Sequence, residues 1–562
     1  MTRQAAFALG LDFGTNSARA LVVDLRSGRA VGEAVAAYPS GRDGVLLDRA
    51  DPNVARQNPA DYAVALAAAA RAALRQAGRD RAFRPDRVVG IGIDTTASTP
   101  LPVDAHGTPL ALKPQFRKHL AAQAWLWKDH TAHAEAQEIT ELVRRELPDY
   151  LPLCGGVYSS EWFWSKILRC RRAAPLVFAA ADSWLEQCDY IAALLTGCED
   201  VRTLRRGACA AGHKALFHPQ RGLPPADVLR KLDPALAELR GRLYDRAYTC
   251  DQPAGGLSHA WARKLGLPAG TPVAVGGIDA HLGAVGAGIR PGTLVKILGT
   301  SACDMLVAPR SGRMPDIPGV CGVVDGSIVP GLWGIEAGQP AVGDLFHWWV
   351  TQFDGRPNAH ARLTRAAARL RPGQSGLVAL DWNNGNRSVL VDVRLTGLLL
   401  GQTLHTSSAE VYRALIEATA FGARVIMERL EEHGVHVREV VNCGGIAEKN
   451  ALLMQIYADV TGRPMKISRS PQTCALGAAI CGAVAGGPAR GGFASVAEAQ
   501  AAVCGVRRTV FKPVAAAART YDRLYALYRR LHDAFGGVTG APELGRVMKD
   551  LIALRDQVRS GA

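Results

Sequence analysis

Two short stretches of this sequence carry carboxylates, glycines and small hydroxyls at spacings that suit phosphate chemistry. The first is Asp12-Phe13-Gly14-Thr15-Asn16-Ser17, with Arg19 two residues beyond. It lies between apolar runs at 9–11 and 20–23, so it reads as the turn of a β-hairpin. Gly14 lets backbone N–H groups approach closely, and Thr15, Asn16 and Ser17 add donors, which together can cradle a phosphate without a helix. Asp12, at the strand end, faces the same point and suits a hydrated Mg2+. The same residues also fit an ordinary surface hairpin. The second stretch, 271–281, runs from a buried strand through Gly276-Gly277 to Asp279 at the start of a helix. A carboxylate at a positive helix end, with glycines clearing space before it, can accept a proton or hold a metal. As a helix N-cap it would need no ligand at all.

Elements on either side must position these groups. A third strand is expected over 30–38, and Asn58 with Pro59 opens an Ala-rich helix to about Ala77. The apolar run 87–94 is a buried strand that delivers Thr95-Thr96-Ala97-Ser98-Thr99, a hydroxyl-rich loop at a strand's carboxyl end and a candidate substrate wall or a plain crossover turn. Between 110 and 165 tryptophans stand at 125, 127, 162 and 164, and aromatic faces beside charged donors suit a sugar. His130 and His133 have no third ligand nearby and read as a solvated helix face. A helix is expected from Ala181 to Leu195, and 211–214 reads as a polar turn from which Lys214 could reach an anion. The strand, Gly-Thr-small turn, strand pattern then recurs at Gly299-Thr300-Ser301, 285 residues beyond Gly14, which suggests a duplicated unit with two phosphate turns facing across a cleft. Later come Glu336 before a helix over 341–350, a long helix over 407–433, and a strand ending in Gly444-Gly445 that can admit an adenine and its ribose against bare backbone. A helix over 448–461 follows, then a small-residue helix over 474–485. Residues 505–562 add helical, arginine-rich sequence, read as a lid or cover on the second domain.

At 562 residues, 48% hydrophobic and 21% charged, the chain has enough sequence for two large domains. The net charge of +15 is scattered and not interleaved with aromatics, which argues against nucleic acid and implies modest attraction of an anionic substrate. Twelve cysteines show no C-x-x-C pair, so neither zinc nor a disulfide framework is expected. With no leader pattern and no unbroken apolar run long enough to span a bilayer, the expected location is the cytoplasm, without membrane contact.

In order along the chain, Asp12-x-Gly14-Thr15-x-Ser17 with Arg19, Gly277-x-Asp279, Gly299-Thr300-Ser301 and Gly444-Gly445 resemble the marks of the FGGY carbohydrate kinases of the actin-like ATPase superfamily, over about residues 6–490. The resemblance implies an α/β fold of two actin-like ATPase (ribonuclease H-like) domains with a cleft between them. Residues 1–288 would form the sugar-binding domain, and 289–562 the nucleotide-binding domain with a helical C-terminal extension from about 505. Within the family, 94–100, 127–132, 211–214 and 334–339 look like the ribulokinase branch, and Thr131, where many relatives carry Arg, points away from glycerol and xylulose kinases. The resemblance then implies Asp279 as general base and Asp12 and Asp279 at Mg2+. It places Ala97, Trp127, Lys214, Asp279 and Glu336 at a ketopentose, and Thr15, Asn16, Ser17 and Arg19 around the transferring phosphoryl group. Thr300, Gly338, Gly444, Gly445 and Lys449 would hold ATP. The implied reaction is phosphorylation of L-ribulose at its terminal hydroxyl in arabinose catabolism. Kinases of other pentuloses or pentitols, a non-metabolic actin-like ATPase and a silent sugar sensor are the competing readings, and a homodimer is left open.

Overall fold

The computed structural model describes residues 5–310, 315–538, 544–546, 548–550 and 552. Its first half is built on a seven-stranded sheet. The strands are β1 (Phe7–Phe13), β2 (Ser17–Asp24), β3 (Arg29–Ala37), β4 (Val88–Thr95), β5 (Pro253–Gly256), β6 (Pro272–Ala274) and β7 (Gly277–Ile278). They run in the order β5-β6-β4-β1-β2-β3, with β7 also on β4. The β1–β2–β3 meander is antiparallel, and β4 and β6 join it in parallel. Helix α1 (Pro59–Ala77), capped by the Asn58 side chain on Ala60 N, packs its alanine face on this sheet. The insertion that follows holds α2 (Phe163–Ala173), α3 (Gln187–Thr196) and α4 (Ala208–Ala215) before the chain returns to α5 (Asp279–Gly286).

The second half repeats the plan. Strands β8 (Thr293–Leu298), β9 (Ala302–Pro309), β10 (Gly322–Asp325), β11 (Leu332–Gln339), β12 (Glu439–Cys443), β13 (Met465–Ser468) and β14 (Val506–Phe511) lie in the order β10-β11-β9-β8-β12-β13-β14. An antiparallel β8–β9–β11 meander is again extended by two parallel strands, β12 and β13. The inner strands are buried on both faces, which explains their unbroken apolar runs. Helix α6 (Ser408–Glu432) begins with a capping box between Ser407 and Glu410 and forms the spine of the second core.

Helix α7 (Thr473–Gly486) follows the second sheet in sequence but lies on the first, between β1, β4 and α5. The approach is backbone to backbone. A Cβ on Gly92 would fall 1.7 Å from Ala478 O, and one on Gly477 1.7 Å from Leu282 O. No side chain fits there, so the small-residue run is one means by which the two halves touch. Gly477→Ala is expected to cost about 3 kcal/mol or more, read as a lower thermal midpoint. The matched control Gly445→Ala, where nothing lies within 4 Å, should leave that midpoint unmoved.

Several elements differ from the sequence expectation. The span expected as one helix from Ala181 splits into a short strand, Ser183–Leu185, and α3. Residues 211–214 are the interior of α4 and not a polar turn, because Gly212 sits against Val324 and buries that face. Residue Glu336 lies on β11, and the helix after it is Gly343–Phe353. The helix expected over 448–461 breaks at Asn450, whose side chain caps the second piece. The extension past 505 opens as edge strand β14, then forms α8 (Ala515–Phe535), whose Tyr521 and Tyr528 are buried against α6 and Asp381. It therefore covers the second core. Much of the stretch beyond 538 lies outside the described residues.

Candidate active site

Strand register brings three carboxylates together. Asp12 and Asp94 are neighbours across β1 and β4, and Asp94 also stands beside Gly277, two residues before Asp279. Asp94 is fully buried and, when ionised, neither of its oxygens meets a donor, the group within hydrogen-bonding reach being the carboxylate of Asp12. Burial first, then the charges of Asp12 and Asp279, push its carboxyl well above the usual carboxylate range. Asp279 heads α5 and accepts a 2.6 Å bond from Ala280 N. It is not the N-cap, a position Ile278 fills. Burial and then the charge of Asp12 lift Asp279 to about 7, against its own backbone bond and Arg19, which lower it. Such a carboxyl is suited to exchange a proton near neutral pH.

The hairpin turn closes through Gly14 N to Ser17 O at 3.0 Å. Arg19 Nη1 donates to Asp12 Oδ2 at 2.9 Å. Trp127 Nε1 donates to Thr15 Oγ1 at 3.0 Å, tying the predicted sugar wall to the phosphate turn. Thr15, Ser17 and Arg19 are half-buried around this point, whereas the exposed Asn16 turns its amide to Asp43 O and away from the carboxylates. In the loop after β4, Ala97 is the part-exposed member among buried neighbours.

Lys214 is buried, and its ammonium donates to both Glu336 oxygens at 3.2 and 2.9 Å, joining α4 to β11 across the halves. Sequence reading treats a lone lysine as a surface group; here it lies 5.1 Å from the Trp162 ring centroid. His213 Nδ1 and His281 Nε2 stand 3.7 and 3.5 Å from Glu336 Oε2. Burial alone would raise the Glu336 carboxyl, but Lys214 and the two histidines outweigh it and hold it at about 2. Among the described residues, His213, His281 and Glu336 form the group whose ligand atoms lie close enough to share an ion. Both histidines are pulled down by burial, His281 to about 4, and neither was singled out from the sequence.

On the opposite wall the second turn closes through Gly299 N to Ser301 O at 2.9 Å, with Gly299 and Thr300 exposed. Thr300 O accepts from Val342 N and Asp344 N, so it also starts the next helix. Gly444 sits at φ +93 with Leu298 O 2.3 Å from where a Cβ would be, while Gly445 is bare and open. Lys449 is exposed at the end of the helix Gly445–Lys449. Gly338 is buried, its N–H already bonded to Ser388 Oγ at 3.2 Å and the place of a Cβ taken by Ala302 O at 2.3 Å, so it serves the close packing of β11 on β9 and offers a ligand neither a donor nor open space.

Comparison with known proteins places this pair of facing walls. Residues 7–286 match the N-terminal domain, and residues 294–486 the C-terminal domain, of the FGGY family of carbohydrate kinases. The chain belongs to this family. The FGGY chain is 44% identical over 548 residues to a ribulokinase of Geobacillus thermodenitrificans, covering 94% of each. It is 40% identical to a ribulokinase of Mycolicibacterium smegmatis, over 99% of this chain and 98% of that one. In structure it resembles a xylulose kinase of Rhodospirillum rubrum with a TM-score of 0.76 at 24% identity, covering 94% of this chain and 99% of the other, which bears on fold alone. The protein is therefore a sugar kinase built from two actin-like halves.

Sequence reading did not single out Asp94 among the acids that cluster here. Its signal was present, an acid ending an otherwise apolar run, but only the parallel pairing of β1 with β4 shows that it meets Asp12. With Asp279 lifted to about 7, more of its ionised form, the form a general base needs, exists as pH rises. Sugar phosphorylation is therefore expected to fall with decreasing pH along a limb with an apparent pKa at or below about 7, and lower with metal bound, as a pH–rate profile would show.

Proposed function

We propose that the protein transfers the γ-phosphoryl group of ATP to the terminal hydroxyl of L-ribulose, giving L-ribulose 5-phosphate, in the cytoplasm. The observation that carries this reading is the buried Lys214–Glu336 pair, whose carboxylate charge is felt at Asp279; Ala97 and Trp127 would wall the sugar beside it. In this reading residues 1–288 bind the sugar and 289–562 the nucleotide. Asp279 accepts the proton from the attacking hydroxyl, since an alcohol is a poor nucleophile until that proton has somewhere to go. Lys214 and Glu336 hold neighbouring hydroxyls and so fix which oxygen faces the phosphate. Thr15, Ser17 and Arg19 surround the transferring group, and Asn16, turned to Asp43, supports the turn from outside. Thr300, Gly444, Gly445 and Lys449 line the nucleotide, with Gly338 behind them letting β11 approach Ala302 closely.

Mg2+ fits this site. Asp94 has two buried oxygens without donors, and three carboxylates repel one another there without a cation. Those three lie beyond the mutual reach of a shared direct ligand set, so Asp12 and Asp279 would hold the ion through water. When bound, Mg2+ neutralises charge on the phosphates of ATP. A coupled assay for ADP over a panel of pentuloses and pentitols tests the assignment. Turnover led by L-ribulose is expected, whereas turnover led by xylulose or ribitol, or turnover independent of sugar, overturns it.

A further inference from the structure

Behind the sugar wall lies a completely buried ammonium. Lys166 on α2 is 0% exposed, and Nζ donates to Ser98 O at 2.7 Å, Leu126 O at 2.9 Å and Trp125 O at 3.2 Å. An ammonium has three hydrogens and no acceptor, so all three are spent on backbone carbonyls. Those carbonyls belong to two segments far apart in sequence. One is the loop that carries Ala97, and the other is the strand end that carries Trp127.

A carboxylate grips the same loop from the other side. Glu186, which precedes α3, accepts from Thr99 N at 2.9 Å and from Ser98 Oγ at 3.3 Å. Its neighbour Gln187 accepts from Thr96 Oγ1 at 2.9 Å. Every residue around Ala97 is thus held, while Ser98 itself sits at φ +39, a left-handed conformation unfavourable for a serine. The loop would relax from that conformation without these bonds. Burial pulls Lys166 down to about 7 and pushes Glu186 up to about 7, each resisted by the other's charge. A polar pair buried at that cost, away from the reacting atoms, calls for a role in placing something else.

We propose that Lys166 and Glu186 are positioning residues for the sugar pocket, the ammonium fastening the Ala97 loop to the Trp127 segment while the carboxylate fixes the loop's backbone. The inference rests on the reading that Ala97 and Trp127 line that pocket. Helix α2 adds a third tie, because Trp162, one turn before Lys166, lies against Lys214. A single helix therefore registers two walls and the ion pair of the pocket.

Lys166→Met removes the three bonds at similar length, and Glu186→Gln keeps the size and one acceptor but loses the charge. Isothermal titration of L-ribulose and of ATP on each full-length variant, with kcat and KM for both substrates, separates the roles. Expected are a rise of about tenfold or more in sugar Kd and KM for Lys166→Met and a smaller rise for Glu186→Gln, with ATP affinity within about twofold of the parent. Sugar and ATP affinity falling together, alongside a lowered thermal midpoint in both variants, would mean a general stabilising role and overturn the proposal. So would unchanged sugar affinity in both variants while Trp127→Ala weakens it, in which case the pocket assignment survives and only the positioning role fails. If Lys166→Met does not fold, Glu186→Gln alone decides between these results. A parent protein that neither binds nor phosphorylates L-ribulose would instead overturn the functional reading itself.

Discussion

Asp279→Asn is expected to lower kcat for sugar phosphorylation by about a hundredfold or more, the scale of a lost general base. ATP affinity should stay near the parent value. The amide keeps the size of the carboxylate and its bond to Ala280 N, so α5 should still form. What it loses is the ability to take a proton, and with it the acid limb of the pH–rate profile. A variant that keeps the parent rate, or that loses rate with an unaltered acid limb, would place the base elsewhere. Asp94 is the neighbour to examine in that event, since it shares the same charged pocket. Removing one of three mutually repelling carboxylates should also relieve strain in the metal-free protein. Because the folded-state carboxyl of Asp279 is raised above its unfolded value, its ionisation disfavours the folded state as pH rises through about 4 to 7. Asp279→Asn should therefore gain stability relative to the parent at pH 8 more than at pH 5, measured as thermal midpoints without metal.

Lys214→Met is expected to lower kcat/KM for the sugar by about two to three orders of magnitude, about 3–4 kcal/mol of transition-state stabilisation, because a buried pair is broken and one charge is left uncompensated. Glu336 accepts both bonds from Lys214 and is held ionised at about 2. Without the ammonium its charge would face two neutral histidines and the Arg387 guanidinium, and burial would push the carboxyl up. Glu336→Gln should lose less, because a neutral amide remains beside Lys214. The double variant Lys214→Met, Glu336→Gln should lose less than the sum of the two, as a double-mutant cycle reads. Additive losses would show that the two groups act separately on the sugar. Because Lys214 comes from α4 and Glu336 from β11, the cycle also measures how strongly the two halves are coupled at the pocket.

The turns were legible from local chemistry, since Gly14-Thr15 and Gly299-Thr300 announce themselves by glycine and hydroxyl between apolar runs. The duplication was legible too, from the recurrence of that pattern, and both sheets share an antiparallel three-strand meander extended by two parallel strands, while β7 and β10 have no counterpart in the other sheet. Lys214 was legible only through resemblance, because its own surroundings in sequence suggest a solvated turn. Its burial depends on Gly212 meeting Val324, a contact made from the other half. Asn16 shows the opposite case, a donor rightly placed in the turn whose side chain is drawn to Asp43. His213, His281 and Lys166 gave no signal, because a buried polar group is recognisable only by what surrounds it.

By itself the sequence determined the order of strands and turns, the small-residue character of α7 and the family to which the chain belongs, since these follow from periodicity, glycine placement and motif order. The tertiary structure decided which of those residues meet: Asp94 with Asp12, Lys214 with Glu336, and Lys166 with three carbonyls from two distant segments. Local pattern is fixed by the backbone within a few residues, whereas an ionisable group's partners and pKa are fixed by packing across hundreds, where desolvation and Coulomb terms come into play.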